Sequence, residues 1–121
     1  MYSVPGGAHW GGGLFISTLD HARMGYLMLR RGNWNGRQLI SEDWIDQSLT
    51  SCQLNSGYGY MWWLNTEKRM FGGASEKAFA AMGAGGNIVF MDPEYDLVIV
   101  TRWTKNHADV IDKIIYAFNN S

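Results

Sequence analysis

Two runs late in the chain, Asn87-Ile88-Val89-Phe90-Met91 and Leu97-Val98-Ile99-Val100-Thr101-Arg102-Trp103, are apolar at odd and even positions alike over most of their length. Only Asp92-Pro93-Glu94-Tyr95-Asp96 separates them. β-Branched and aromatic residues at this density read as strands, and the polar link with its proline reads as a turn. Side chains alternate between the two faces of a strand, so a strand without alternation must be covered on both sides. One cover lies just downstream. Val110, Ile111, Ile114, Ile115 and Phe118 form a stripe at helical spacing, which predicts a helix over about 108–119. The second cover has to come from upstream.

Upstream, two helices are signalled by their starts. Ser17 with Asp20 three residues later is a capping pair, and Leu19, Ala22, Tyr26 and Leu29 follow at helical spacing. Arg30 and Arg31 suit the negative end of the helix and Gly32 its C′ position, giving a helix over about 18–31. Ser41-Glu42-Asp43-Trp44 is a second capped start, for a short helix over about 42–50 that buries Trp44, Ile45 and Leu49. Between them, Asn35-Gly36 is a strong hairpin signal with short flanks. Trp10 and Phe15 flank the glycines at 11–13, and that segment reads either as packed backbone or as a leader.

From Tyr58 the pattern is β. Tyr58–Leu64, Met70-Phe71 and Ala78–Ala81 are candidate strands, and Gly83-Ala84-Gly85-Gly86 is a small-residue turn. The expected fold class is α+β, with an antiparallel sheet of about three main strands flanked by helices, and with residues 1–121 as one domain.

The charge balance narrows the partners. Ten Lys+Arg against eleven Asp+Glu give a net charge of −1 with no block of one sign, which leaves no footprint for nucleic acid or an anionic membrane. Residues 1–7 carry no basic and no apolar region of a signal peptide, and no run approaches the roughly 20 apolar residues of a membrane span. The single cysteine, Cys52, cannot close an internal disulfide and leaves the compartment open.

Chemistry-bearing residues are sparse. His9, His21 and His107 stand apart from one another, from Cys52 and from carboxylates at ligand spacing, so no metal site and no cofactor is expected. The Gly83–Gly86 run lacks the Lys-Ser/Thr of a phosphate loop and leads into a strand. It reads either as a tight strand connection or as a stretch whose N–H groups could hold an oxyanion. No serine is followed three residues on by lysine, and no G-x-S-x-G occurs. No catalytic residue is therefore assigned in this chain.

An ordered set of short motifs nevertheless resembles a known family. It runs Trp10-Gly11-Gly12-Gly13-Leu14-Phe15-Ile16-Ser17-Thr18, Asp20-x-Ala22-Arg23-x-Gly25, Gly32-x-Trp34-Asn35-Gly36 and Ser41-Glu42-Asp43-Trp44. It continues with Tyr58-Gly59-Tyr60-x-Trp62-Trp63, Gly83-x-Gly85-Gly86-Asn87 and Asp92-Pro93-x-x-Asp96-Leu97-Val98-x-Val100. Over residues 10–118 the chain resembles the serine β-lactamase-related hydrolases, which include class C β-lactamases, DD-peptidases and esterase-like enzymes.

The resemblance implies a partial β-lactamase/transpeptidase-like fold, about the last third of such an enzyme. The family's S-x-x-K and Tyr-x-Asn motifs lie upstream of the matching stretch, and neither occurs in these residues. Its third motif, Lys or His then Thr or Ser then Gly, falls by position on Ala81-Met82-Gly83, where only Gly83 is kept. Ala81, Met82, Gly83 and Ala84 are then the substrate-side residues, with the backbone near Ala84 as the oxyanion contribution. The departure suits a divergent hydrolase better than a β-lactamase. The parent family is often exported. The expectation for the isolated chain is no activity, and its expected partner is the missing N-terminal part of the hydrolase or further copies of itself. The alternative is a stand-alone, non-catalytic interaction module that self-associates.

Overall fold

The structure is a computed structural model that describes residues 2–4 and 13–121. The expectations placed on His9, Trp10, Gly11 and Gly12 lie outside the described residues. In chain order the elements are β1 (Tyr2–Val4), β2 (Gly13–Phe15), α1 (Thr18–Leu29), β3 (Asn33–Trp34), β4 (Arg37–Gln38), α2 (Glu42–Ser48), β5 (Trp63–Leu64), β6 (Phe79–Gly83), β7 (Asn87–Asp92), β8 (Leu97–Thr101) and α3 (His107–Asn119). β1 pairs with β2 and β3 with β4, as two-stranded ribbons. The main sheet is antiparallel with strand order β5-β6-β7-β8.

The sheet is covered on both faces, as its unalternating strands require. On one face Ala80, Ile88, Phe90 and Ile99 pack with Ile111 and Ile115 of α3 and with Phe71. On the other, Phe79, Val89 and Met91 pack with Met28 of α1, Ile45 of α2 and Trp62. α1 lies close to the sheet at Gly25. A Cβ there would stand 2.9 Å from Val98 Cγ1 and 3.0 Å from Met91 Sδ, so a larger residue would push the helix outward.

The predicted helix starts hold. Ser17 Oγ accepts the Asp20 N–H at 3.1 Å, and Ser41 Oγ accepts the Trp44 N–H at 3.2 Å. The Asn35-Gly36 turn forms between β3 and β4 with both residues at positive φ, 50° and 83°, the geometry a two-residue hairpin demands. α1 stops two residues early. Its left-handed C′ residue is Arg31 (φ 53°), and Gly32 follows at C″, donating to Leu27 O while Arg31 N–H reaches Met28 O.

Several expectations are corrected. The main sheet has four strands, not about three, because Trp63–Leu64 adds a short one. The rest of Tyr58–Leu64 is not strand. Gly59 presses against Ser48 O, where a Cβ would sit 2.2 Å away, and Met61 takes φ 64°. Met70 and Phe71 form no strand either, since both N–H groups are taken by Asn65 Oδ1, at 3.2 and 2.9 Å. On α1 the buried residues are Gly25 and Met28, while Leu19 and Tyr26 are exposed. On α2, Ile45 is buried but Trp44 is exposed and stacks obliquely on Tyr60, centroids 5.9 Å apart. On α3 only Ile111 and Ile115 of the predicted stripe are buried, and Ile114 and Phe118 face outward.

Candidate functional site

β6 carries three of the four residues that the sequence singles out. Ala81 and Met82 are half-buried, Gly83 is exposed at the strand's end, and Ala84 opens the turn into β7. On its inner side β6 is paired throughout, from Phe79 opposite Met91 to Gly83 opposite Asn87. On its outer side β5 reaches only Phe79 and Ala80. Among the described residues no strand pairs with Ala81, Met82 or Gly83 on that side. Unpaired main-chain groups on a strand edge are a template for an extended ligand, whose own amide or ester groups can continue the ladder.

The turn that ends β6 is held from outside the hairpin. Gly85 and Gly86 both take left-handed backbone, φ 79° and 74°. A Cβ on Gly86 would stand 1.9 Å from Thr104 O, and a Cβ on Gly85 would stand 2.7 Å from the Trp103 ring. Thr101 Oγ1 donates to Gly86 O at 3.2 Å. Asn87 Nδ2 donates to Ala84 O at 2.8 Å, closing the turn on itself. Thr101 at the end of β8 and residues 102–104 after it therefore fix the path of residues 84–86, and only glycine fits at the two closest approaches.

Beside this turn the end of β8 is tied to the segment entering α1, where Arg102 Nη1 donates to Ile16 O at 2.7 Å. His21, on α1, is half-buried. That burial, with the nearby Arg102 charge second, holds its imidazole below the ordinary 6.5.

The glycine run was visible in the sequence, but its neighbours were not. Trp103 reads there as the last residue of a strand, whereas β8 ends at Thr101 and Trp103 turns back over Gly85 with φ 56°. Asn87 reads as the first residue of a strand, and its side chain closes the turn as well.

No family model matches the chain. Two curated relatives, from Escherichia coli O157:H7 and Escherichia coli strain K12, are each named "Putative D-alanyl-D-alanine carboxypeptidase". They are 31% and 30% identical to this chain over 116 residues, which is 93% of the chain and 26% of each relative. The chain thus spans about a quarter of the length of the curated relatives it matches. Among solved structures, "Putative 6-aminohexanoate-dimer hydrolase from Bacillus anthracis" shares the fold, with a TM-score of 0.62 over 88% of this chain and 29% of that one, at 24% identity. The ordered motifs, the curated relatives and the shared fold agree: over most of its length the chain is similar to a portion of the serine β-lactamase-related hydrolases.

Proposed function

We propose that these residues are the C-terminal portion of a serine β-lactamase-related hydrolase, supplying the substrate-side wall of a site that cleaves esters or amides. The observation that supports this reading is the outer edge of β6 at Ala81–Gly83, which no strand among the described residues pairs with, and where the resemblance puts the family's third motif. In this role Ala81, Met82 and Gly83 align the acyl part of the substrate along the strand. The backbone N–H near Ala84 contributes to the oxyanion site. The turn pinned by Thr101, Trp103 and Thr104 keeps that backbone in place, and preorganised donors of this kind act without rearranging. A side chain that reads a carboxylate, as the motif's Lys or His would, has no counterpart at Ala81, so the reading favours neutral acyl groups. The nucleophile and its base, absent as S-x-x-K and Tyr-x-Asn from all 121 residues, come from the rest of the enzyme.

The isolated chain is then expected to show no hydrolysis, because oxyanion donors without a nucleophile and base give little turnover. Purified chain incubated with nitrocefin and short p-nitrophenyl esters should match buffer. Turnover that persists through re-purification would overturn this division of labour.

A second reading, self-association, is favoured by one feature. Among the described residues β8 is an edge strand of the main sheet, and Trp103, Ile114, Tyr116 and Phe118 on the segment and helix that follow are all exposed. Open strand edges and apolar surface of this extent usually find a partner. A homodimer or higher oligomer is expected when the chain is alone. Sedimentation equilibrium at micromolar concentration checks it, and a monomer mass across a roughly tenfold dilution counts against it.

A further inference from the structure

At the end of β6 away from Gly83 the sheet is incompletely covered. α2 is seven residues long and β5 only two, so a corner is left unfilled between them, the last turn of α1 and Phe79 at the start of β6. A cavity of about 430 Å³ occupies this corner, within the roughly 300–1,000 Å³ of small-molecule sites. Its floor is apolar. Met28, Ile45 and Phe79 are buried there, with Leu49 and Leu64 half-buried beside them. Its mouth carries Arg31, Glu76 and Lys77, all exposed. Both cations are already held by carboxylates. Arg31 donates to the two oxygens of Asp46 at 2.9 Å and lies 3.6 Å from Glu42, and Lys77 lies 3.4 Å from Glu94. Glu76 makes no ion pair with any of the described residues. The mouth therefore sets four carboxylates against two cations, beside an apolar floor. A field of that sign draws a cation and repels an anion.

We propose that this cavity binds an amphiphilic amine, a primary ammonium group on a linear apolar body. The body covers Met28, Ile45 and Phe79, and the ammonium stands at the mouth beside Glu76. The site lies at the other end of β6 from Ala81–Gly83 and does not depend on the hydrolase reading. An anion of the same shape meets Glu76 and gains little from Arg31, whose guanidinium is spent on Asp46 and Glu42. A short amine finds the same carboxylate but leaves the floor uncovered.

The test uses the 121-residue chain, isotopically labelled at its seven methionine methyl groups for NMR. The probes are n-octylammonium, n-octanoate and n-butylammonium, each below its micelle concentration. The Met28 methyl, assigned as the signal lost in Met28→Leu, reports the floor of the cavity. Met61, 80% exposed between α2 and β5, is the reference. n-Octylammonium should shift the Met28 signal saturably and leave Met61 unmoved. n-Octanoate should bind about tenfold more weakly, because its charge is of the wrong sign. n-Butylammonium, with fewer methylenes to bury, should also bind more weakly, by about tenfold or more. Glu76→Gln changes an exposed side chain and leaves the core intact. It should weaken n-octylammonium about threefold and narrow its advantage over n-octanoate, and added salt should do the same. The inference is overturned by an unmoved Met28 signal, by equal binding of the two eight-carbon probes, or by affinity that ignores Glu76→Gln. It is overturned too if raising the protein concentration alone shifts Met28, since the cavity would then belong to a second copy of the chain.

Discussion

Ile99→Asp is expected to leave the protein unfolded or nearly so. Ile99 sits on β8 opposite Phe90 of β7 and is 8% exposed. It belongs to the cluster of Phe71, Phe90, Ile111 and Ile115 that joins the sheet to α3. Nothing in that cluster can accept a carboxylate's charge or satisfy its oxygens. A buried, unpartnered carboxylate costs several kcal/mol, and the lost apolar packing adds about 2 more. Small domains have only about 5–15 kcal/mol in total. The substitution should therefore abolish the cooperative thermal transition seen by circular dichroism. Phe118→Asp is the matching control. It lies on the same predicted helical stripe as Ile111 and Ile115, yet Phe118 is 53% exposed, and the change should stay within about 0.5 kcal/mol. Equal damage from the two substitutions, or an unchanged melting curve for Ile99→Asp, would show that α3 covers the sheet by a different face.

That contrast marks where sequence reading succeeds. β7 and β8 are legible because their apolar residues do not alternate, and that pattern has few physical solutions: both faces must be buried. The helix starts are legible because Ser17 and Ser41 satisfy N–H groups within three residues of themselves, a local event. The buried face of α1 is not legible. Its contact centres on Gly25, chosen for close approach to Val98 and Met91, and a glycine adds nothing to a hydrophobic pattern. Leu19 and Tyr26 draw the apparent stripe to one side and are exposed. The aromatic run at Tyr58–Leu64 misleads in the same way. Its strand propensity is overridden by the packing of Gly59 on Ser48, a contact with the end of α2 that no local pattern announces. At the candidate site, Gly83–Gly86 could be read from composition. Trp103 and Thr104 could not, because their place over the turn depends on the register of β7 with β8 and on where β8 stops.

The loop between β5 and β6 gives the other large expected effect, through a single side chain. Residues 65–78 contain no strand, yet Phe71, Ala74 and Ser75 are buried, so their backbone groups need partners that a sheet would otherwise supply. Asn65, 1% exposed, is the hub. Its Oδ1 accepts from Met70 and Phe71 N–H, and its Nδ2 donates to Phe71 O and Ser75 O, both at 2.9 Å. Ser75 passes the anchoring on to the sheet, donating from N and Oγ to Asp92 at 2.8 and 2.6 Å at the end of β7. Asn65→Ala removes all four of the hub's bonds and leaves two N–H groups and two carbonyls to find water. At about 1–3 kcal/mol for each group that stays unsatisfied, the loss should be about 3 kcal/mol or more, read as a lower urea midpoint. Asn65→Asp separates bonding from size. It keeps the shape and the two acceptor bonds but aims a carboxylate oxygen at Phe71 O and Ser75 O, where a donor is required. An Asp variant that is destabilised at neutral pH and recovers as acid protonates the new carboxyl would identify the lost donor as the cause. An Asp variant as stable as the parent at pH 7 would mean that Asn65 fills space and the loop is held by other contacts.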